Sequence, residues 1–343
     1  MNKFHQIFVE KDLFNKESTQ KLLTKLDSPV SLIDSYEELF QHRKKYLDKR
    51  TKLNLILANK KGELVKETPP AYGQKNEKHF YFLHQFNCVY ECEYCYLQGY
   101  FNSPDIVIFL NHEEILEEIK KTIDQNKGEK CVFHAGEFSD SLALNPITQE
   151  WKLYFDFFEK EKSAEVELRT KSTSIQELLD IPAPETKNII VSFSLSTQQQ
   201  SLIHDKECPS SMARIRAIER LIKHGYGIAL HFDPIIYEKT FFKDFENLCQ
   251  ELHQKKILQH AQYMSLGTIR FTPESHRAFA KNYPENPSLY SELKLVKNKR
   301  GFIEYEYPFR NEILRRSKEI LLSHSVPSEK IYYCMEEEAP SLS

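Results

Sequence analysis

The sequence predicts an α/β protein built around a partial (β/α)6 barrel. Six short apolar segments alternate with helical patterns through residues 79–275, which is typical of parallel strands joined by crossover helices. The length of 343 residues leaves room for smaller flanking regions beside such a barrel. With 40% apolar and 28% charged residues, the composition is that of a folded protein rather than a disordered one.

Each barrel element has its own signature in the chain. The six predicted strands cover residues 80–86, 131–134, 166–169, 189–195, 228–232 and 264–271. Helical periodicity between the strands is found at residues 113–124, 149–158, 211–224 and 243–253. In a barrel of this kind, the catalytic and ligand-binding residues lie at the carboxyl ends of the strands.

Two further regions flank the predicted barrel. Residues 1–78 form a small α/β amino-terminal region, which ends in a linker candidate at 66–78 that contains Pro69, Pro70 and Gly73. Residues 276–343 form a carboxyl-terminal extension with a hairpin at 295–303, a helix at 311–323 and a short strand near 330–333. The predicted domains are therefore 1–78, 79–275 and 276–343.

Charge and hydropathy exclude several classes of function. The net charge is −3, so no overall basicity points to nucleic acid, although residues 1–80 carry 16 basic and 11 acidic side chains. No apolar run approaches the roughly 18–20 residues that cross a bilayer, and the amino terminus lacks the apolar segment of a secretory signal. We therefore expect a cytoplasmic protein with no membrane partner.

The cysteines carry the strongest chemical signal. Cys88, Cys92 and Cys95 follow the first predicted barrel strand with the spacing C-x3-C-x2-C. The total of seven cysteines is odd, which argues against a disulfide framework, and thiolates select iron–sulfur clusters, zinc or copper(I). Structural zinc normally takes four protein ligands, whereas three thiolates on a four-iron cluster leave one iron open to a small molecule. This pattern is typical of radical S-adenosylmethionine (SAM) enzymes.

A different class of protein stays open beside that interpretation. The same cysteines would also fit a zinc-stabilised nucleic-acid-binding module without catalysis.

Several short segments resemble the spore photoproduct lyase family, radical SAM enzymes that repair a thymine dimer in DNA. The resemblance begins at residues 92–98, around the last two cysteines of the motif. It continues in Thr170-Lys171, Phe193-Ser194, Gly225-Tyr226, Arg270-Phe271-Thr272 and residues 281–284, and extends to residues 7–10 and 55–61 near the amino terminus. The likeness covers most of the chain, but it is strong only in these blocks.

The resemblance implies a cofactor set and a role for each matching residue. Cys88, Cys92 and Cys95 would hold a [4Fe–4S] cluster, and Lys171 and Ser194 would hydrogen-bond the carboxylate region of SAM. Tyr94 and Tyr96 match two catalytic tyrosines that relay a hydrogen atom, although aromatic rings beside a cluster also shield it from water. The chemistry further implies a one-electron reductant, such as a flavodoxin- or ferredoxin-like protein, as a partner.

One position departs from the family pattern. The family places a hydrogen-donating cysteine just after the second barrel strand, and this chain has Glu137 there. A carboxylate lacks the weak S–H bond that makes a thiol a hydrogen-atom donor. Ala135-Gly136-Glu137 instead resembles the Gly-Gly-Glu element with which many radical SAM enzymes bind the SAM ammonium. We therefore predict that Gly136 and Glu137 bind SAM. The departure also leaves open the alternative that this is a radical SAM enzyme that has diverged to another substrate.

The predicted hairpin suggests DNA as a partner. Its tip carries Lys297, Lys299 and Arg300, which could contact phosphates, while Tyr305 or Tyr307 could stack on a base. A solvated basic surface explains the same residues equally well, as it does for the basic segment 42–52. Cys208, Cys249 and Cys334 receive no role from the sequence.

Overall fold

The computed structural model describes residues 4–41, 44, 46, 50, 52–69, 72, 73, 77–284 and 295–336. The basic segment 42–52 and the predicted linker at 66–78 therefore lie partly outside the described residues. Among the described residues, no helix is both long enough and apolar enough to cross a membrane.

The strands of the described chain fall into four sheets. In chain order they are β1 (Ile7–Glu10), β2 (Val30–Ile33), β3 (Leu55–Ala58), β4 (Val65–Glu67), β5 (Lys78–Phe82), β6 (Gln85–Phe86), β7 (Glu91–Cys92), β8 (Ile106–Phe109), β9 (Cys131–Ala135), β10 (Ala164–Thr170), β11 (Ile189–Ser194), β12 (Asp205–Lys206), β13 (Gly227–Ile235), β14 (Ala261–Thr268), β15 (Arg270–Phe271), β16 (Leu295–Lys297), β17 (Ile303–Tyr305) and β18 (Ile331–Tyr333).

Helices connect the strands and cover the sheets. They are α1 (Lys11–Phe14), α2 (Glu17–Leu23), α3 (Leu97–Tyr100), α4 (His112–Gln125), α5 (Asn145–Thr148), α6 (Trp151–Phe158), α7 (Gln176–Leu179), α8 (Gln198–His204), α9 (Ser211–His224), α10 (Phe241–Gln254), α11 (Ile257–His260), α12 (Pro273–Asn282) and α13 (Tyr307–Ser323), with 3-10 turns at Tyr36–Phe40 and Ser328–Lys330.

The largest sheet of the described chain is a curled half-barrel with the strand order β18-β14-β13-β11-β10-β9-β5-β4. The six predicted barrel strands are present as parallel neighbours in chain order, from β5 to β14. This confirms the predicted partial (β/α)6 barrel. Strand β18 adds a parallel strand beside β14, and β4 pairs antiparallel with β5 at the other edge.

The barrel core follows from the apolar runs that predicted the strands. Strand β11 is buried along its whole length, because helices cover a parallel sheet on its outer face. Helix α9 occupies its predicted span because both ends are capped. The Ser210 hydroxyl accepts a hydrogen bond from the Ala213 backbone N–H, and Gly225 ends the helix with φ 105°.

The first predicted barrel strand is shorter than the sequence suggested. It ends at Phe82, and β6 leaves the barrel to pair antiparallel with β8 in the amino-terminal sheet. Asn87 then turns the chain with a positive φ of 62°. Its side-chain amide donates to the carbonyl oxygens of Ser103 and Asp105 at 2.8 and 2.7 Å. These bonds fix the start of the cysteine loop directly after the pairing of β6 with β8.

Sheet pairing crosses the predicted limits at residues 78 and 275. The amino-terminal sheet has the order β2-β1-β3-β8-β6, so two of its described strands come from beyond residue 78. In the other direction, β18 of the carboxyl-terminal extension joins the barrel sheet. The predicted hairpin forms from β16 and β17, which pair antiparallel, and β17 also pairs with β15.

Candidate active site

A cavity of about 360 Å³ lies at the carboxyl ends of the barrel strands. The nine residues predicted for the cluster, SAM and hydrogen-atom transfer all line it: Cys88, Cys92, Cys95, Tyr94, Tyr96, Gly136, Glu137, Lys171 and Ser194. They come from residues 88–96, which follow β6 and include β7, and from the carboxyl ends of β9, β10 and β11. Parallel strands bring these distant positions together because their carboxyl ends meet at one edge of the sheet.

Backbone contacts hold the cysteine loop in place. The Arg50 guanidinium donates to the carbonyl oxygens of Cys88 and Val89 at 2.7 and 2.6 Å. Strand β7, which contains Cys92, pairs antiparallel with β12, and Gln98 Nε2 donates to the Cys92 carbonyl oxygen at 2.9 Å. The three sulfurs are therefore presented by a loop that is anchored at both ends.

The protonation of the three thiols depends on their surroundings. Burial raises the pKa of Cys88, and it raises that of Cys95 to about 11. A contact with Cys208, whose sulfur lies 3.5 Å away, lowers the pKa of Cys92. Because the thiolate is the ligand form, metal binding at this loop has to release protons.

The donor set consists of three thiols from one short segment, and all three line the same cavity. Within the described ranges, no group of three or more cysteine, histidine or acidic side chains is arranged around one metal position. Three thiolates are soft ligands of the kind that iron–sulfur clusters take, so the residues present fit a [4Fe–4S] cluster.

Each of the two predicted tyrosines has a hydrogen-bond partner. The Tyr94 hydroxyl donates to the Asp205 carboxylate, which also pairs with Arg214 at 2.7 Å. The Tyr96 hydroxyl donates to the backbone carbonyl oxygen of Glu137. Burial raises the pKa of both phenols, so both are neutral O–H groups on the cavity wall.

The loop after β9 has a shape that requires glycine. Gly136 has φ 85°, and a Cβ there would lie 2.6 Å from Ser141 Oγ and 2.9 Å from the Arg169 carbonyl oxygen. Asp140 in the same loop accepts hydrogen bonds from the Thr170 hydroxyl and the Lys171 backbone N–H, both at 2.7 Å. This carboxylate joins the ends of β9 and β10, and sequence reasoning did not single it out.

Lys171 extends from the end of β10 into the cavity wall. Its Nζ lies 5.5 Å from the centroid of the Tyr94 ring. Burial opposes its charge, but the surrounding Cys92 and Asp205 raise the pKa of the ammonium. Ser194 ends β11, and its carbonyl oxygen accepts a hydrogen bond from Arg214 at 3.0 Å.

A polar chain that the sequence analysis missed continues from Glu137 into the barrel. Arg169 donates to the Tyr72 hydroxyl at 2.9 Å and lies 3.3 Å from the carboxylate of Glu167. Glu167 in turn lies between His134 and His231, at 2.5 and 2.6 Å. In the sequence these residues are isolated polar positions within apolar strands. The alternation of strands and helices does not show which strands lie side by side, so it does not reveal that these side chains meet.

A second missed group lies at the other end of the curled sheet. Asp233, Arg270 and Cys334 line the same cavity, and the Arg270 guanidinium pairs with Asp233 at 3.4 Å. Arg270 belongs to the segment Arg270-Phe271-Thr272, which resembles the family, but the resemblance implies no role for its side chain. The approach of Cys334 could not be foreseen, because it depends on β18 joining the barrel.

The basic residues of the hairpin are not brought to the cavity wall. Lys297, Lys299 and Arg300 are exposed and absent from its lining, whereas Phe302 of the same hairpin contributes to it. Arg300 donates to the Met335 carbonyl oxygen at 2.9 Å. The hairpin therefore borders the cavity with its apolar side and presents its charges to solvent.

Comparison with known proteins agrees with this geometry. The family model for spore photoproduct lyase matches residues 77–335. The spore photoproduct lyase of Bacillus subtilis (strain 168) is 27% identical over 259 residues, which cover 72% of this chain and 73% of that protein. The spore photoproduct lyase of Geobacillus sp. (strain Y412MC61) is 25% identical over 261 residues, with the same shares of the two chains.

Solved structures show the same fold. A spore photoproduct lyase complexed with dinucleoside spore photoproduct superposes with a TM-score of 0.82 at 18% identity, over 96% of this chain and 98% of that one. A mutant of the enzyme with bound AdoMet and dinucleoside spore photoproduct gives a TM-score of 0.79, also at 18% identity and with the same coverage.

A partial barrel with a C-x3-C-x2-C loop after its first strand defines a radical SAM enzyme. Its cofactors are accordingly a [4Fe–4S] cluster and SAM. Because the family model spans most of the chain, the particular relationship is also established: the chain belongs to the spore photoproduct lyase family.

Proposed function

We propose that this protein is a radical SAM lyase that repairs the spore photoproduct, a thymine dimer in DNA. The observation that carries the proposal is the family match over residues 77–335, which includes the barrel, the cysteine loop and the hairpin. The comparisons do not favour either the diverged substrate or the zinc module that the sequence left open.

Cys88, Cys92 and Cys95 would hold the cluster. Their place on one wall of a 360 Å³ cavity leaves space beside the loop for a small molecule. The bound cluster and SAM together supply a 5′-deoxyadenosyl radical when an electron arrives. The protein contributes position and the exclusion of water, because Cys92, Glu93 and Tyr94 at the centre of this loop are buried.

The strand-end residues would bind SAM. Glu137 would accept a charge-assisted hydrogen bond from the SAM ammonium, and the absence of a side chain at Gly136 lets the loop fold tightly behind it. Lys171 and Ser194 would contact the carboxylate region from the ends of the next two strands. The chain from Tyr72 through Arg169 would keep Glu137 oriented.

Tyr94 and Tyr96 would act during hydrogen-atom transfer. A phenol can give up a hydrogen atom while it is neutral, and both hydroxyls are held in that form by burial. Their fixed partners, Asp205 and the Glu137 carbonyl oxygen, also support the alternative role of shielding the cluster.

Three further assignments accompany the proposed reaction. Lys297, Lys299 and Arg300 would follow the phosphates of damaged DNA beside the cavity. The electron would come from a flavodoxin- or ferredoxin-like reductant. Cytoplasmic location stays a prediction.

The test uses anaerobically reconstituted protein with dithionite, SAM and dinucleoside spore photoproduct. We expect 5′-deoxyadenosine and the repaired thymine dinucleoside to form together. If 5′-deoxyadenosine forms and the lesion persists in both dinucleoside and DNA, the lyase proposal is wrong, although the radical SAM class stands. The Cys92→Ala variant, which lacks one of the three proposed cluster ligands, serves as the inactive control.

A further inference from the structure

The cavity contains a thiol beyond the cysteine triad. Cys334 follows directly on β18 and lines the same cavity as Cys88, Cys92 and Cys95. Its backbone N–H donates to the Leu266 carbonyl oxygen at 2.9 Å, which ties it to β14. The triad follows β5, near the opposite end of the curled sheet, so the two sets of sulfurs reach the cavity from separate elements.

Charged neighbours hold the Cys334 side chain at the cavity. The Arg270 guanidinium donates to the Cys334 carbonyl oxygen at 3.1 Å and lies 3.8 Å from its sulfur. The Asp233 carboxylate is a hydrogen-bond partner of the thiol and pairs with Arg270. Gly267 leaves the space for this carboxylate, since a Cβ there would lie 2.6 Å from it.

The surroundings keep Cys334 in its protonated form. Burial raises the pKa of the thiol, and the charge on Asp233 raises it further. The sulfur is therefore S–H rather than thiolate, and an S–H bond is weak enough to give a hydrogen atom to a carbon radical. Neither a thiolate nor the carboxylate of Glu137 has such a bond.

We propose that Cys334 is a catalytic residue that donates the hydrogen atom ending the radical reaction on the substrate. The inference rests on the proposed function. The Cys334 S–H bond breaks and a C–H bond forms at the carbon radical of the product, which leaves a sulfur radical on Cys334. One electron from the one-electron reductant and one proton from solvent restore the thiol.

Other cysteines are less suited to this role. Cys208 lies against Cys92 at 3.5 Å, and Cys131 and Cys249 are buried in β9 and α10, outside the lining of this cavity. Among the described lining residues, Cys334 is the cysteine outside the triad.

The main experiment follows deuterium from solvent into product. Reconstituted wild type, Cys334→Ser, Cys334→Ala and the control Cys249→Ala are compared in D2O with dinucleoside spore photoproduct. Serine keeps a donor for Asp233 but lacks the weak S–H bond. We expect deuterium in the repaired product of wild type and the control, and loss of both deuterium and repaired product in the two Cys334 variants. All four proteins should retain iron and form 5′-deoxyadenosine.

A second measurement does not depend on turnover. Protein without cluster is treated with methyl methanethiosulfonate, and modification of Cys334 is measured by mass spectrometry with and without the dinucleoside. Protection by the lesion is expected. A thiol that the reagent cannot reach, or that the lesion leaves unprotected, contradicts the proposal.

The outcomes separate the two proposals. If wild type repairs the lesion and Cys334→Ser incorporates deuterium at the same level, the role of Cys334 is wrong and the proposed function stands. If wild type cleaves SAM without repairing the lesion, the proposed function itself fails.

Discussion

The Tyr72 hydroxyl donates a hydrogen bond to Oε2 of Glu137 at 2.8 Å. The carboxylate assigned to SAM therefore has a fixed partner on the cavity wall, and Arg169 holds that partner in turn at 2.9 Å. Burial raises the pKa of Tyr72, so the phenol stays protonated and donates this hydrogen bond. A second oxygen of Glu137 is left for the SAM ammonium.

The first prediction concerns this carboxylate. Glu137→Gln removes the charge that faces the ammonium while keeping the size of the side chain. A hydrogen bond to a charged group contributes about 1.5–3 kcal/mol, so we expect SAM to bind roughly tenfold to a hundredfold more weakly. Titration calorimetry with reconstituted protein measures this. Glu114→Gln, at an exposed position of α4, is the control. Equal affinity for wild type and Glu137→Gln would contradict the SAM-binding role.

The second prediction concerns the cysteine triad. Alanine at Cys88, Cys92 or Cys95 removes one of three thiolates, so the variants should lose iron and the visible absorption of a [4Fe–4S] cluster after anaerobic reconstitution. Cys249→Ala, which removes a thiol buried in α10, should keep both. Iron content and absorption spectra are the measurements, and full iron binding by a triad variant would argue against the assignment.

The third prediction compares two glycines with positive φ. Alanine at Gly62, with φ 75° and no atom near its Cβ position, should cost about 1–2 kcal/mol from backbone strain alone. Alanine at Gly136 has the same strain plus close contacts with Ser141 Oγ and the Arg169 carbonyl oxygen. We expect a larger loss in the free energy of unfolding, measured in urea. If both variants lose the same free energy of unfolding, the loop after β9 accommodates a Cβ at residue 136 and the prediction is wrong.

The fourth prediction concerns the hairpin. Replacing Lys297, Lys299 and Arg300 with alanine should weaken binding to lesion-containing duplex DNA and reduce its salt dependence. Each lost phosphate contact lowers the slope of log affinity against log salt by about 0.9. Binding of the dinucleoside should be unchanged, because it lacks flanking phosphates. Lys152→Ala on α6 is the control, and an unchanged salt slope in the triple variant would exclude the DNA contact.

The fifth prediction concerns acid stability. Burial alone would raise the pKa of Glu167, but Arg169, His134 and His231 hold it well below the ordinary value. The ionised form therefore stabilises the fold above the unfolded pKa of about 4.3, and this contribution is lost as the pH falls through the folded pKa.

Glu167→Gln should cost about 3–5 kcal/mol at pH 7, because it leaves the Arg169 guanidinium without its fully buried carboxylate partner. Below about pH 4.3, the variant should lose stability less steeply than wild type. Urea unfolding at several pH values measures both effects. Glu165→Gln, two residues earlier and paired with the half-exposed Lys130, should cost less, and the reverse order would contradict the central position of Glu167.

The amino-acid sequence by itself determined the barrel and the chemistry of its first loop. Alternating apolar runs and helical periods are local patterns, so β9, β10, β11, β13, β14 and α9 could be predicted without knowing the fold. The spacing of Cys88, Cys92 and Cys95 is equally local, since a ligand loop lies within one short segment. It could also be predicted that Gly136, Lys171 and Ser194 lie together beside this loop, because parallel strands place their carboxyl ends at one edge of the sheet.

Tertiary structure decided which other residues join them. Whether β6 leaves the barrel, and whether β18 closes onto β14, depends on backbone hydrogen bonds between segments far apart in sequence. The pairing of β18 with β14 brings Cys334 to the cavity that Arg270 and Asp233 also line. The order β9-β10-β11-β13 places Glu167 between His134 and His231. No local sequence periodicity predicts these side-chain contacts, because their energy arises from burial and strand pairing across the whole sheet.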